Sequence, residues 1–120
     1  MQHKPTADLN LIKQIMRIDT EYMPGIVCKY LEDLGLTTAI DKHDNVIGIK
    51  GSPAGNPVLI AHTDTVFPHV PYKVYHAGDY LIGMDKTYRQ CGIGADDRAG
   101  VAGILQLIPY LDNVTVVLCA

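Results

Sequence analysis

Glutamate is nearly missing from this sequence. Of 13 acidic residues, only Glu21 and Glu32 are glutamates. Glu32 falls on the polar side of a helical pattern and Glu21 precedes it, so neither is a convincing general base. Tryptophan is absent and Phe67 is the one phenylalanine, which decides nothing by itself. The cysteines are three, Cys28, Cys91 and Cys119, widely spaced and without a Cys-x-x-Cys pair. That excludes a disulfide framework and the common structural zinc spacings, and it suits a reducing, cytoplasmic setting. The longest apolar runs, 58–61 and 114–120, are far short of a membrane span. The first residues, MQHKPTAD, contain no apolar signal core. Basic residues are nowhere clustered and the net charge is -3, so a nucleic-acid surface has no support. No internal repeat or low-complexity tract is present.

What remains is an ordinary globular composition. Hydrophobic residues make up 48% of 120 residues, enough for one packed domain or a piece of a larger one. Asp8 suits the cap of a helix over roughly 8–19, with Leu9, Ile12, Ile15 and Met16 on one face. Pro24 suits the first turn of a second helix. Its stripe is Val27, Tyr30, Leu31 and Leu34, and Gly35 is its stop. TTAID and VIGIK, around an Asp-Asn turn, predict a hairpin, and GSPAGNP at 51–57 is a second turn. VLIA at 58–61 predicts a central strand buried on both faces. Residues 68–94 read as a long connection with a short strand near 79–84. A helix is expected from Asp97 to about Leu111, glycine- and alanine-rich near its start. VTVVLCA at 114–120 is the last strand. The order predicts an α/β fold with a mixed sheet.

Two corners carry the chemistry. His62 and Asp64 follow the apolar strand VLIA, where the carboxyl ends of sheet strands face a ligand crevice. His62 suits a metal ligand there. Asp64, two residues on, falls on the same side and suits the other imidazole nitrogen. Asp96 opens the last helix, where one carboxylate can bridge two metals. Each has a plainer reading: a surface His-x-Asp pair, and an aspartate N-cap. His69 and His76, in the long connection, are further candidates for ligation or simply exposed histidines. Gly92-x-Gly94 before a helix lacks a full phosphate-binding motif, and adjacent aspartates would repel a phosphate. Cys91 has no partner histidine at a readable spacing, which favours a structural thiol.

Taken together, HTDTV at 62–66 and GIGADDRAG at 92–100 resemble the di-zinc metallopeptidase and deacylase superfamily. They are closest to its M20 type, with likeness to tripeptidase-like, M28 and M42 members. HTDTV resembles His-x-Asp-Thr-Val; GIGADDRAG resembles Gly-x-Gly-Ala-Asp-x-(Lys/Arg)-x-Gly. The 34-residue separation of His62 from Asp96 also suits that family, and DNVIGIK and GNPVLIAHTDTV resemble its lead-in strands. The resemblance implies the N-terminal part of a zinc-exopeptidase-like three-layer sandwich. It implies that His62 ligates one zinc, Asp96 bridges two, and Asp64 serves catalysis by orienting His62. Asp97 and Arg98 fall where such families vary and are expected to be structural. The implied activity is amide hydrolysis by a metal-activated water. The substrates would be short peptides, or N-acyl amino acids in a deacylase, and cobalt or manganese are alternatives to zinc. A homo-oligomer stays open. The family's Glu-Glu pair and final His are not in residues 1–120. The expectation is therefore a partial catalytic domain, cut before that pair and inactive alone, with a non-catalytic binding module as the rival.

Overall fold

Asp8 sets the start of the first helix. Its carboxylate accepts the Leu11 amide at 3.1 Å, and α1 runs Leu9–Met16. The chain is described by a computed structural model over residues 7–52 and 54–120, so Pro53, within the expected second turn, lies outside the described residues. A single 3-10 turn, Thr20–Tyr22, leads into α2, Met23–Asp33, with Pro24 in its first turn. Met23, Val27 and Leu31 recur every four residues and are buried. Gly35 ends α2 at φ 90°, a left-handed position that suits glycine. That turn lets the Leu36 amide close on the Leu31 carbonyl at 3.0 Å.

Strands β1, Thr37–Ile40, and β2, Val46–Lys50, form the expected antiparallel hairpin. β3, Val58–His62, follows the second turn. The expected long connection carries three short strands, one of them at the expected place near 79–84. β4, Lys73–Ala77, β5, Tyr80–Met84, and β6, Gln90–Cys91, make a separate antiparallel sheet in that order. Its first turn is at Gly78, φ 59°. Glycines and prolines through this stretch mark the ends of short strands rather than one loop. α3 spans Ala95–Leu107, four residues short of the expected end, and a 3-10 turn, Ile108–Tyr110, follows. Pro109 explains the early stop: it has no N–H to donate and its ring crowds the preceding turn. β7, Val114–Cys119, completes the main sheet.

The main sheet has the order β1-β2-β7-β3, antiparallel except for the β3–β7 pair. The α/β class with a mixed sheet is as expected. The strand VLIA, however, is not central. β3 is the edge strand, and β7 lies inside it. Nor is β3 buried on both faces: Val58 is 55% and Ile60 65% exposed. The register gives the reason. Leu59 and Ala61 pair with Val116 and Leu118 and share the core with Val46, Val101 and Leu105. Val58 and Ile60 pair with Thr115 and Val117, which face the other way. All three helices contribute to the one core, so the alternate residues of β3 have no helix over them among the described residues.

Candidate metal centre

β3 and α3 meet at the carboxyl end of the sheet. His62 is the last residue of β3 and pairs with Cys119 of β7. Its successor Thr63 is buried, and its amide donates to the Cys119 carbonyl at 2.7 Å, extending the parallel pairing by one step. The chain then turns outward through Asp64. Both ring nitrogens of His62 are engaged. Nδ1 lies 3.0 Å from Asp64 Oδ1 and 3.2 Å from the Asp64 carbonyl. Nε2 lies 3.0 Å from Asp96 Oδ1. The three residues singled out from the sequence therefore converge, in the expected order: Asp64 behind the ring, Asp96 in front.

Gly94, at φ 65°, stands at the cap position of α3, and the helical dihedrals are interrupted at Asp96 and Asp97. The Asp96–Asp97 peptide is cis. The Asp96 side chain is 97% exposed, so its carboxylate is free to meet an ion from solvent. Asp97 turns the other way. Its Oδ2 accepts the His62 amide at 3.4 Å, and its carboxylate covers Gly100. A side chain at Gly100 would overlap that carboxylate, which accounts for glycine in the second turn of α3.

Burial by itself would lower the His62 pKa. The hydrogen bonds from Asp96 and then Asp64 outweigh it and hold the imidazolium above the ordinary histidine value. The Cys91 thiol is pushed up, by burial first and by Asp85 second. A thiol so protonated is a poor nucleophile, in keeping with its structural reading.

Arg98 was expected to be structural, but its partners could not be read from the sequence. A guanidinium in the first turn of a surface helix should point to water. Arg98 is instead buried, at 1% exposure. Nε donates to the Thr63 carbonyl at 2.8 Å. Nη1 donates to the carbonyls of Ile15 at 2.9 Å and Ile18 at 2.5 Å, and Nη2 to Thr20 Oγ1 at 3.1 Å. Burial pushes its pKa down, offset by Asp19 and Asp64. One planar fork thus ties the end of β3, the start of α3 and the end of α1 together. The expectation that Arg98 is structural holds, and its acceptors are now named.

The donor set suits zinc in kind. Zinc bonds to imidazole nitrogen and carboxylate oxygen at about 2.0–2.2 Å, so in tetrahedral geometry two such donors sit roughly 3.3–3.6 Å apart. His62 Nε2 and Asp96 Oδ1, at 3.0 Å, lie a few tenths of an ångström inside that span, and the exposed Asp96 side chain has room to open it. Asp64 on Nδ1 supplies the carboxylate that such histidines commonly carry behind them. The set is incomplete in number. Among the described residues no group of three or more His, Cys, Asp or Glu is arranged to hold a metal ion. His69 lines a separate cleft of about 510 Å³ with Arg17, Asp19 and Lys86. His76 is exposed on β4. Glu32 is occupied on α2, accepting from Thr38 Oγ1 at 2.8 Å.

Comparison with solved structures returns the same architecture. A tripeptidase from Staphylococcus aureus superposes with a TM-score of 0.75 at 22% identity, over 92% of this chain and 35% of that one. The chain has the fold of the N-terminal portion of an M20-type exopeptidase sandwich. Aminopeptidase PepT from Bacillus cereus gives 0.74 at 21% identity, over 92% of this chain and 35% of that one. An aminoacylhistidine dipeptidase from Vibrio alginolyticus gives 0.69 at 19%, over 91% of this chain and 26% of its own length. The chain thus spans about a third of the length of the first two. No family model and no curated protein matches it. At these identities the likeness carries the fold; the site must be argued from its own atoms.

Proposed function

We propose that this chain is the N-terminal part of a metal-dependent hydrolase of the M20 type, acting on amide bonds in the complete protein. The observation that carries the reading is the convergence of His62 Nε2 on Asp96 at 3.0 Å, with Asp64 on the opposite ring nitrogen at 3.0 Å. In this reading His62 and Asp96 hold the metal, zinc first and cobalt or manganese as alternatives. When bound, a pair of such ions polarises an amide carbonyl and supplies a nucleophilic water near neutral pH. The chain's own residues do the rest of what is visible. Asp64 fixes the ring of His62 and its tautomer. Asp97 steadies the His62 amide. Arg98 holds Thr63 against the base of α3. Glu32 is engaged by Thr38 on α2, and in this reading the general base comes from sequence outside residues 1–120.

Short peptides are the substrate class favoured by the likeness to a tripeptidase, an aminopeptidase and a dipeptidase. N-acyl amino acids, cleaved by a deacylase, are the alternative. Three unpaired cysteines and an acidic balance fit a cytoplasmic enzyme without nucleic-acid partners. Among the described residues, no helix is long and apolar enough to cross a membrane.

A second reading is favoured by one observation, the two-donor count. With so few ligands the chain by itself acts as a non-catalytic module. Zinc calorimetry on the chain and on His62→Ala and Asp96→Ala tests the main reading. Weak, equimolar binding lost in both variants supports it. Binding untouched by either substitution removes its basis.

A further inference from the structure

The Gly-x-Gly spacing before Asp96 has no phosphate to cradle, yet the segment Gly92-Ile93-Gly94 is built for close contact. A Cβ at Gly92 would lie 2.5 Å from both Cε1 and Cε2 of Phe67. A Cβ at Gly94 would lie 2.8 Å from Thr65 Oγ1 and 3.2 Å from Thr65 Cβ. Ile93, between them, covers Gly83 of β5, where a Cβ would meet Ile93 Cγ2 at 2.7 Å. The segment is thus a wedge between the loop that follows His62 and the second sheet. Three glycines make the room for it. Thr65 and Phe67 are themselves joined, the Phe67 amide lying 3.4 Å from Thr65 Oγ1.

Asp96 follows Gly94 by two residues, and His62 precedes Thr65 by three. Any slip of the wedge along the loop therefore changes the gap between the two metal donors. We propose that Thr65 and Phe67 are positioning residues, seated in the spaces left open by Gly94 and Gly92, and that this seating fixes the separation of Asp96 from His62. The inference rests on the metal-site reading for its purpose, and on the glycine contacts for its geometry. Gly92 makes the cleaner test. Its φ is not in the left-handed region, and the three atoms nearest an alanine Cβ there all belong to the Phe67 ring. Phe67 is 45% exposed and its ring end can swing outward, so the variant is expected to fold.

The experiment is a double-mutant cycle of Gly92→Ala and Phe67→Ala in the full chain. It is read three ways: the denaturation midpoint, the nuclear Overhauser contact between the His62 ring and the Asp96 β-protons without metal, and zinc affinity. Each single variant is expected to weaken that contact and to lower zinc affinity roughly tenfold, the size seen when the supports of metal ligands are removed. The denaturation midpoint stays close to that of the parent. Gly92→Ala is expected to add little once Phe67 is alanine, because the ring it displaces has gone. Additive effects, an unchanged His62–Asp96 contact in both variants, or loss that tracks the denaturation midpoint alone would each overturn the proposal. The proton contact keeps the two ideas apart. A coupled loss of contact in a chain that binds no zinc would sustain the positioning role and sink the metal reading. Zinc binding insensitive to both substitutions would do the reverse.

Discussion

Replacing Arg98 with methionine removes the donor fork and keeps an apolar stem in its place. Four acceptors lose a partner: the carbonyls of Thr63, Ile15 and Ile18, and Thr20 Oγ1. They are not equal. The Ile15 carbonyl keeps the Ile18 amide at 3.3 Å, and Thr20 is exposed to water. The Thr63 and Ile18 carbonyls lose their close side-chain donor at buried or half-buried positions. Leaving a buried acceptor unpaired costs about 1–3 kcal/mol. Two such acceptors, less some relief from no longer burying a cation, give a loss of about 3 kcal/mol. Against the 5–15 kcal/mol typical of a whole domain, that is a large share. For 120 residues it corresponds to a fall of about 12 °C in Tm. Urea denaturation, with the slope checked for constancy, is the assay. Arg98→Lys should fall between, since one ammonium cannot reach acceptors on β3 and α1 together. A loss under about 1 kcal/mol for Arg98→Met would refute the view that Arg98 fastens these elements.

His62 should titrate above 6.5 in the metal-free chain, and Asp96→Asn should lower its midpoint in a proton NMR titration. Because the folded pKa is raised, the His62 contribution to stability is present below about 6.5 and fades as pH rises through the folded midpoint. Zinc affinity should rise over the same interval as the proton leaves; a midpoint below 6.5 would contradict both statements. Gly51, at φ 69°, lies against Asn113, whose Oδ1 accepts the Ser52 amide at 2.8 Å. Gly51→Ala should therefore cost more than about 1 kcal/mol in urea, and a neutral result would refute the contact. Residues 1–120 alone should show no multiple turnover on di- and tripeptides or N-acyl amino acids with zinc, cobalt or manganese. Turnover abolished by His62→Ala would mean that further residues complete the site.

The site was more legible than the sheet. His62, Asp64 and Asp96 belong to two short motifs, and the structure brings each aspartate within 3.0 Å of a His62 ring nitrogen. The helices followed from their caps: Asp8, Pro24 and Gly35 each act where expected. Strand position was another matter. VLIA is apolar on both faces, and that alone cannot separate a central strand from an edge whose outer face is bare. The answer depends on β7 entering between β2 and β3, some 50 residues later in the chain. The second sheet was legible only in part. β5 falls within the strand expected near 79–84, whereas β6 is two residues long, too short for any periodicity to register. Arg98 was expected to be structural, yet its burial was not legible: only the fold reveals that three backbone carbonyls meet it.

The central claim is that His62 and Asp96 are two arms of one metal site. Crystals of the chain soaked in zinc, measured on both sides of the zinc absorption edge, test it directly. The account predicts an anomalous peak between His62 Nε2 and the Asp96 carboxylate, about 2.0–2.2 Å from each, with Asp64 still bound to Nδ1. Zinc ordered only elsewhere, at a cysteine or at His69, with the His62–Asp96 gap empty, would contradict it.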